Sequence, residues 1–191
     1  MSLAIVILFG SVRQARQGIK AARFMERQCQ ARGHDVTLVD PLVTQLPLLD
    51  KMYKEYNGDA PPVLEHLAQL YRAADGFLIV SGEYNHGIPP ALKNLLDHFL
   101  EEYFFRPSGI VSYSGGSFGG VRAAMQLRMI LAELGMPSIP STFPIPRVQD
   151  AFTDDGTPND PAMERRVGRF LDEFCWYASA LKEARAKGVP Y

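Results

Sequence analysis

Residues 3–18 read LAIVILFGSVRQARQG, and the change of character at Gly10 decides how the chain is built. The unbroken apolar run 3–9, rich in β-branched side chains, suits a central strand covered by helices on both faces. After the polar turn, residues 18–32 carry apolar Ile19, Ala22, Met25 and Cys29 at spacings of three and four, with Gly33 placed as a C-cap. The same succession recurs along the chain. A strand over 35–39 follows, and the runs 76–81 (GFLIVS) and 109–113 (GIVSY) read as two more. Helical spacing returns at 63–74 behind Pro61 and Pro62, at 89–98 (PPALKNLLDH) and at 120–134 (GVRAAMQLRMILAEL), which Gly135 ends. Residues 137–144 supply a last strand, although their prolines suit one poorly. A long terminal helix spans 162–187, with Phe170, Phe174, Tyr177 and Leu181 on one face. Strands alternating with helices predict a three-layer α/β sandwich with right-handed crossovers and a five-stranded parallel sheet of order 2-1-3-4-5. Segments 41–59 and 146–161 show no periodicity, and loops of that length serve as functional covers or stay mobile.

The bulk numbers narrow the function class. A chain of 191 residues, 47% hydrophobic, fits a single domain over residues 1–191 with one continuous core. Twenty Lys+Arg against 21 Asp+Glu give a net charge of −1, and no basic run interleaves with aromatics, so no nucleic-acid partner is expected. The opening residues lack a basic signal-peptide start, and the run 3–9 is too short to cross a bilayer. A cytoplasmic protein without membrane association is the expectation. Cys29 and Cys175 have neither a CxxC spacing nor a dense cysteine context, which suits core thiols better than a disulfide scaffold or a metal site.

In an open parallel sheet, ligands bind outside the carboxyl ends of the strands near the switch in strand order. That directs attention to the turns after strands 1, 3 and 4. The first, residues 10–18, offers a tight turn at Gly10, the Ser11 hydroxyl, the charges of Arg13 and Arg16, and the N–H groups of the following helix from Gly18 and Ile19. It lacks both the GxGxxG spacing for a dinucleotide and the Gly-Lys-Ser/Thr ending of a P-loop, so a phosphate monoester fits best. A plain solvated turn is the competing reading. The second turn, SGEYNHGIPP over 81–90, puts Glu83, Tyr84 and Asn85 where backbone groups can bond the edge of a planar heterocycle and the tyrosine ring can stack. His86 is a candidate acid or base, but in a loop beside Gly87 solvation or ligand packing is the better reading. The third, SYSGGSFGG over 112–120, has four glycines that let the backbone approach a flat ligand and offer N–H donors without side-chain obstruction.

That third turn also matches GxSxG, the nucleophile elbow of serine hydrolases, in a strand-turn-helix setting. Chain order argues against it. In the hydrolase fold the triad histidine follows the serine, whereas His34, His66, His86 and His98 all precede Ser117.

Taken in order, Gly10-Ser11-x-Arg13, Glu83-Tyr84-Asn85-x-Gly87-x-Pro89-x-Ala91-Leu92-Lys93-Asn94-x-x-Asp97 and Ser112-Tyr113-x-Gly115-Gly116 resemble the NADPH-dependent FMN reductase family, which includes quinone, chromate and azo reductases. The likeness covers about the first 145 residues. It implies a flavodoxin-like fold and an FMN cofactor. The FMN phosphate would be held by Ser11, Arg13, Arg16 and the backbone from Arg16 through Gly18 to Ile19. Glu83, Tyr84 and Asn85 would line the ring and ribityl chain, with Ser114, Gly115, Gly116 and Ser117 at the other ring edge. The resemblance further implies a ping-pong oxidoreductase without a catalytic side chain, taking hydride from NADPH or NADH at flavin N5 and serving a small-molecule electron acceptor. It also implies a homodimer or homotetramer using the helix 91–97, and apolar Leu95, Leu96, Phe99, Leu100, Tyr103, Phe104 and Phe105 look too bulky to leave exposed. Two departures from the family pattern stand out: Arg16-Gln17-Gly18 replaces a second hydroxyl residue in the first turn, and Gly82 replaces a proline before Glu83. An FMN-bearing electron carrier or redox sensor that works through a protein partner is the alternative; such carriers display acidic docking surfaces, which a net charge of −1 supports little.

Overall fold

Successive side chains of a strand point to opposite faces, and in the first strand that alternation divides the core in two. In the computed structural model, which describes residues 2–191, strand β1 (Ala4–Phe9) sends Ile5, Ile7 and Phe9 into one cluster and Val6 and Leu8 into the other. Four further strands, β2 (Asp35–Val39), β3 (Gly76–Gly82), β4 (Ser108–Tyr113) and β5 (Ser138–Ile145), complete a parallel sheet of order β2-β1-β3-β4-β5. The helices are α1 (Gly18–Gln30), α2 (Pro41–Thr44), α3 (Pro62–Ala73), α4 (Pro90–Asp97), α5 (Val121–Glu133) and α6 (Ala162–Arg185). Phe24 and Met25 of α1 with Phe170 and Phe174 of α6 fill the first cluster. Tyr71 of α3, Leu92 and Leu96 of α4, and Leu127 and Leu131 of α5 fill the second. The three-layer α/β architecture and the strand order are those expected from the sequence.

The differences have local causes. Segment 41–59, expected to be irregular, contains one helical turn, α2, and a 3-10 turn at Tyr53–Tyr56. Asp40 starts α2 by accepting the Leu42 N–H on its carboxylate, and Pro41 occupies the position where a missing N–H costs nothing. The prolines of β5 are tolerated because β5 is an edge strand, paired only with β4. On α6 the buried seam is Met163, Val167, Phe170, Leu171, Phe174 and Ala178, which leaves Tyr177 and Leu181 half-buried at its margin. Four of the seven bulky residues at 95–105 are covered within this chain, while Leu100, Phe104 and Phe105 are half-buried. Leu95, Leu96, Phe99 and Tyr103 are buried in this chain's own second core, where Phe99 and Tyr103 pack edge and face against Tyr71. Among the described residues no helix is long and apolar enough to cross a membrane.

The amino ends of the strands are tied by one buried carboxylate. Asp75 accepts the Ala4 N–H at 3.0 Å, Lys182 Nζ at 2.7 Å and Arg185 Nη2 at 3.1 Å, so it joins β1, the start of β3 and the end of α6. Arg185 in turn donates to the Phe105 carbonyl. Removing the carboxylate orphans a backbone donor and two cations at once. Asp75→Ala is therefore expected to cost about 2–3 kcal/mol of stability, and an unchanged thermal melting temperature would contradict this assignment.

Candidate functional site

At the carboxyl ends of β1, β3 and β4 the three turns converge on a cleft of about 260 Å³. The first turn leaves β1 through Gly10, whose N–H bonds the Val80 carbonyl at 3.0 Å. Ser11 is buried, and its hydroxyl accepts the Arg13 N–H at 3.4 Å, which curls the backbone before α1. At the N-cap of α1, Gln17 makes no side-chain bond, and the first turn of the helix holds no acidic residue. Its first amides therefore remain uncapped, a standing attraction for an anion.

The two arginines of this turn have different roles. Arg16 is 14% exposed and bidentate to Asp40, at 2.5 and 2.6 Å, and also donates to the Ser11 carbonyl at 3.0 Å. Its guanidinium lies 5.3 Å from the centre of the Phe9 ring. Arg16 lines the cleft, but its charge is committed to bracing the turn. Arg13 is exposed, and among the described residues its side chain makes no hydrogen bond or ion pair. It is the uncommitted cation at this end of the cleft.

Tyr113 forms the floor. It closes β4, lies 6.4 Å from the Phe9 ring centroid, and sits so close to α1 that a Cβ on Gly18 would come within 2.1 Å of Tyr113 Cζ. A Cβ on Gly82 would come to 3.0 Å from the same ring. Glycine at these two positions lets the aromatic ring lie flat between α1 and the exit of β3. Burial pushes the Tyr113 hydroxyl well above the usual phenol range, and nearby Tyr84 adds to this, outweighing the opposing effects of the Ser11 hydroxyl, Arg16 and Arg13. The ring thus offers a neutral O–H donor beside Ser11.

The second turn contributes Gly82, Glu83 and Tyr84. Tyr84 and Gly87 exchange two backbone hydrogen bonds of 2.9 Å across Asn85 and His86, both left-handed with φ of 49° and 69°. This tight reversal leaves Tyr84 on the rim and turns the Asn85 and His86 side chains into solvent, outside the cleft lining. From the third turn Ser114 and Gly115 line the cleft. They are pinned by the returning chain, since Val148 N bonds the Ser114 carbonyl and Arg147 N the Gly116 carbonyl, each at 3.0 Å. Val148 and Gln149 complete the wall.

The structure thus brings together Ser11, Arg13, Arg16, Gly18, Glu83, Tyr84, Ser114 and Gly115, while Ile19, Asn85, Gly116 and Ser117 lie outside the lining. Sequence reasoning overlooked Ala15, Tyr113, Val148 and Gln149 as wall residues. For Tyr113 a signal existed, an aromatic residue ending an apolar strand. For Val148 and Gln149 none did, because they arrive by tertiary return of an irregular segment. No hydrogen bond links the Ser117 hydroxyl to any histidine among the described residues, so the GxSxG match has no triad around it. Among the described residues no group of three or more His, Cys, Asp or Glu could hold a metal ion. A free cation and bare helix amides at one end, with small residues and tyrosine rings further along, fit an aromatic phosphate monoester such as FMN.

A sequence model of the NADPH-dependent FMN reductase family matches residues 3–150. The quinone reductase of Escherichia coli strain K12 is 33% identical over 136 residues, covering 69% of this chain and 71% of that protein. The NAD(P)H-dependent FMN reductase of Schizosaccharomyces pombe is 32% identical over 168 residues, covering 84% and 80%. Among solved structures, the flavoenzyme NAD(P)H:(acceptor) oxidoreductase FerB of Paracoccus denitrificans superposes with a TM-score of 0.75 over 92% of this chain and 98% of its own, at 20% identity, a likeness of fold. With a family match over most of its length and the cleft that such a cofactor needs, the chain belongs to the NADPH-dependent FMN reductase family, an oxidoreductase with FMN and a reduced nicotinamide as its cofactors.

Proposed function

We propose that this protein transfers electrons from NADPH or NADH to a small acceptor by a ping-pong cycle, with a quinone as the leading acceptor class and free flavin, azo compounds or chromate as further candidates. The observation that carries this reading is the convergence of the three turns on a cleft that has one uncommitted cation, Arg13, beside the uncapped start of α1. Quinone is favoured because the bacterial relative of 33% identity is a quinone reductase.

Bound FMN supplies the electron-transfer chemistry, and the chain's own residues supply position, charge and access. Arg13, the Ser11 hydroxyl and the amides at Gly18 and Ile19 hold the phosphate. Arg16 keeps the loop in shape through Asp40. Tyr113 walls the cleft from below and Tyr84 from the rim, and backbone groups at Glu83, Ser114 and Gly115, which line the cleft, would hold the edges of the heterocycle. The open side beside Tyr84 admits a donor and then an acceptor in turn, so both use one face. No side-chain nucleophile is required; the proton that quinone reduction consumes can come from solvent, and His86 is exposed outside the cleft lining.

Anaerobic mixing of the FMN-loaded protein with NADPH or NADH should bleach the oxidised flavin band, and no bleaching with either donor would refute the enzyme reading. Steady-state rates with a quinone panel should give parallel double-reciprocal lines, whereas intersecting lines would refute the ping-pong order. The two arginines separate cleanly. Arg13→Ala should weaken FMN binding by about 1.5–3 kcal/mol with little change in melting temperature, while Arg16→Ala should lower the melting temperature because the brace to Asp40 is lost. Equal FMN affinity in Arg13→Ala and wild type would sink the phosphate assignment.

A further inference from the structure

A carboxylate at the cleft spends both oxygens on a helix rather than on the cleft. Glu83 follows β3 directly, and its side chain is 11% exposed. Its Oε2 accepts the backbone N–H of Arg122 at 3.0 Å and of Ala123 at 3.1 Å, while Oε1 faces the Arg122 guanidinium at 3.8 Å. Helix α5 needs this. Its N-cap is Gly120, which offers no side-chain acceptor, and its first turn contains no acidic residue. A residue almost forty positions earlier thus supplies the cap.

One turn further along α5, Gln126 Oε1 accepts the Ile88 N–H at 2.7 Å. The same oxygen lies so near Gly87 that a Cβ there would come within 3.1 Å of it. Glu83 and Gln126 therefore grip the two ends of the Tyr84–Gly87 reversal and fasten it to one helix. Between the grips stand two consecutive left-handed residues, Asn85 and His86. Both residue types are enriched in that conformation, but two in succession still cost free energy that the grips help to offset. A second consequence concerns charge: Glu83 occupies the positive end of α5, while α1 keeps its end open, so the cleft has a single bare helix terminus.

We propose that Glu83 and Gln126 are positioning residues that clamp the Tyr84–Gly87 turn onto α5 and thereby fix both the aromatic rim of the cleft and the end at which a phosphate is accepted. This rests on the FMN reading for its functional consequence, but the clamp itself is testable without flavin. Amide hydrogen exchange on the flavin-free protein should show faster exchange at Ile88, Arg122 and Ala123 in Glu83→Ala, by about tenfold or more, the loss expected for a charge-assisted bond. Glu83→Gln, which keeps an acceptor oxygen, should restore most of that protection. Gln126→Leu should speed exchange at Ile88 alone. With FMN added, Glu83→Ala and Gln126→Leu should change the visible circular dichroism of the bound flavin and raise the KM for the nicotinamide more than they lower kcat. If both variants keep wild-type dichroism and KM while only melting earlier, Glu83 is a helix cap and nothing more, and the proposal fails. Unchanged exchange at all three amides would overturn the clamp. If wild-type protein takes up no FMN, the FMN reading falls, and the exchange results still decide the clamp.

Discussion

Tyr113 lies so close to the start of α1 that Gly18 could not carry a Cβ, and close enough to the exit of β3 that one at Gly82 would be tight. That contact ties the end of β4 to the first turn of α1 and to the exit of β3, three places far apart in sequence and adjacent at the sheet's carboxyl edge. The cleft depends on it. A side chain at Gly18 would push α1 off the sheet and carry its uncapped amides away from Ser11. The ring also explains why so buried a phenol stays neutral: it is held against Phe9 and screened from water, with only the Ser11 end near charge.

Around that floor, the charged side chains divide between holding the walls and attracting a ligand. Asp40 neutralises Arg16 and also starts α2, so one carboxylate shapes both the first turn and the segment after β2. Glu83 neutralises the start of α5. What remains uncompensated is Arg13 with the first amides of α1, both at the same end. A ligand with one strongly anionic end and a planar, less charged remainder matches that asymmetry better than one with charge along its length.

Much of this was legible in the sequence because it is local. Unbroken apolar runs such as 3–9 mark two-sided burial, and spacings of three and four mark helices, so the parallel sheet followed from alternation and its order from the flavodoxin-like pattern of five strands. Ser11, Arg13 and Gly18 could be placed because a strand-to-helix turn brings neighbours in sequence together in space. Pairings across the fold were not legible. Nothing near Arg16 announces Asp40 as its partner, and nothing near Glu83 announces an amide pair on α5. The bulky stretch 95–105 shows the same limit, because large apolar side chains demand cover but do not name it. Tyr71 on α3 provides that cover for Phe99 and Tyr103, while Phe104 and Phe105 meet Tyr191 instead.

The two edges of the sheet meet opposite requirements, and their carboxylates show how. At the amino edge Asp75 is saturated by a backbone amide and two cations, which closes that edge and locks α6 against the first core. At the carboxyl edge Asp40 and Glu83 are likewise consumed, yet Arg13 is left without a partner among the described residues. An exposed arginine beside uncapped amides is electrostatic repulsion that the fold gains nothing from by itself. It persists at the one place where strand ends, helix start and aromatic floor meet, and an incoming phosphate would relieve it. The stability of the domain therefore resides mainly at the closed edge and the two cores, which leaves the open edge free to keep a charge unsatisfied until a ligand arrives.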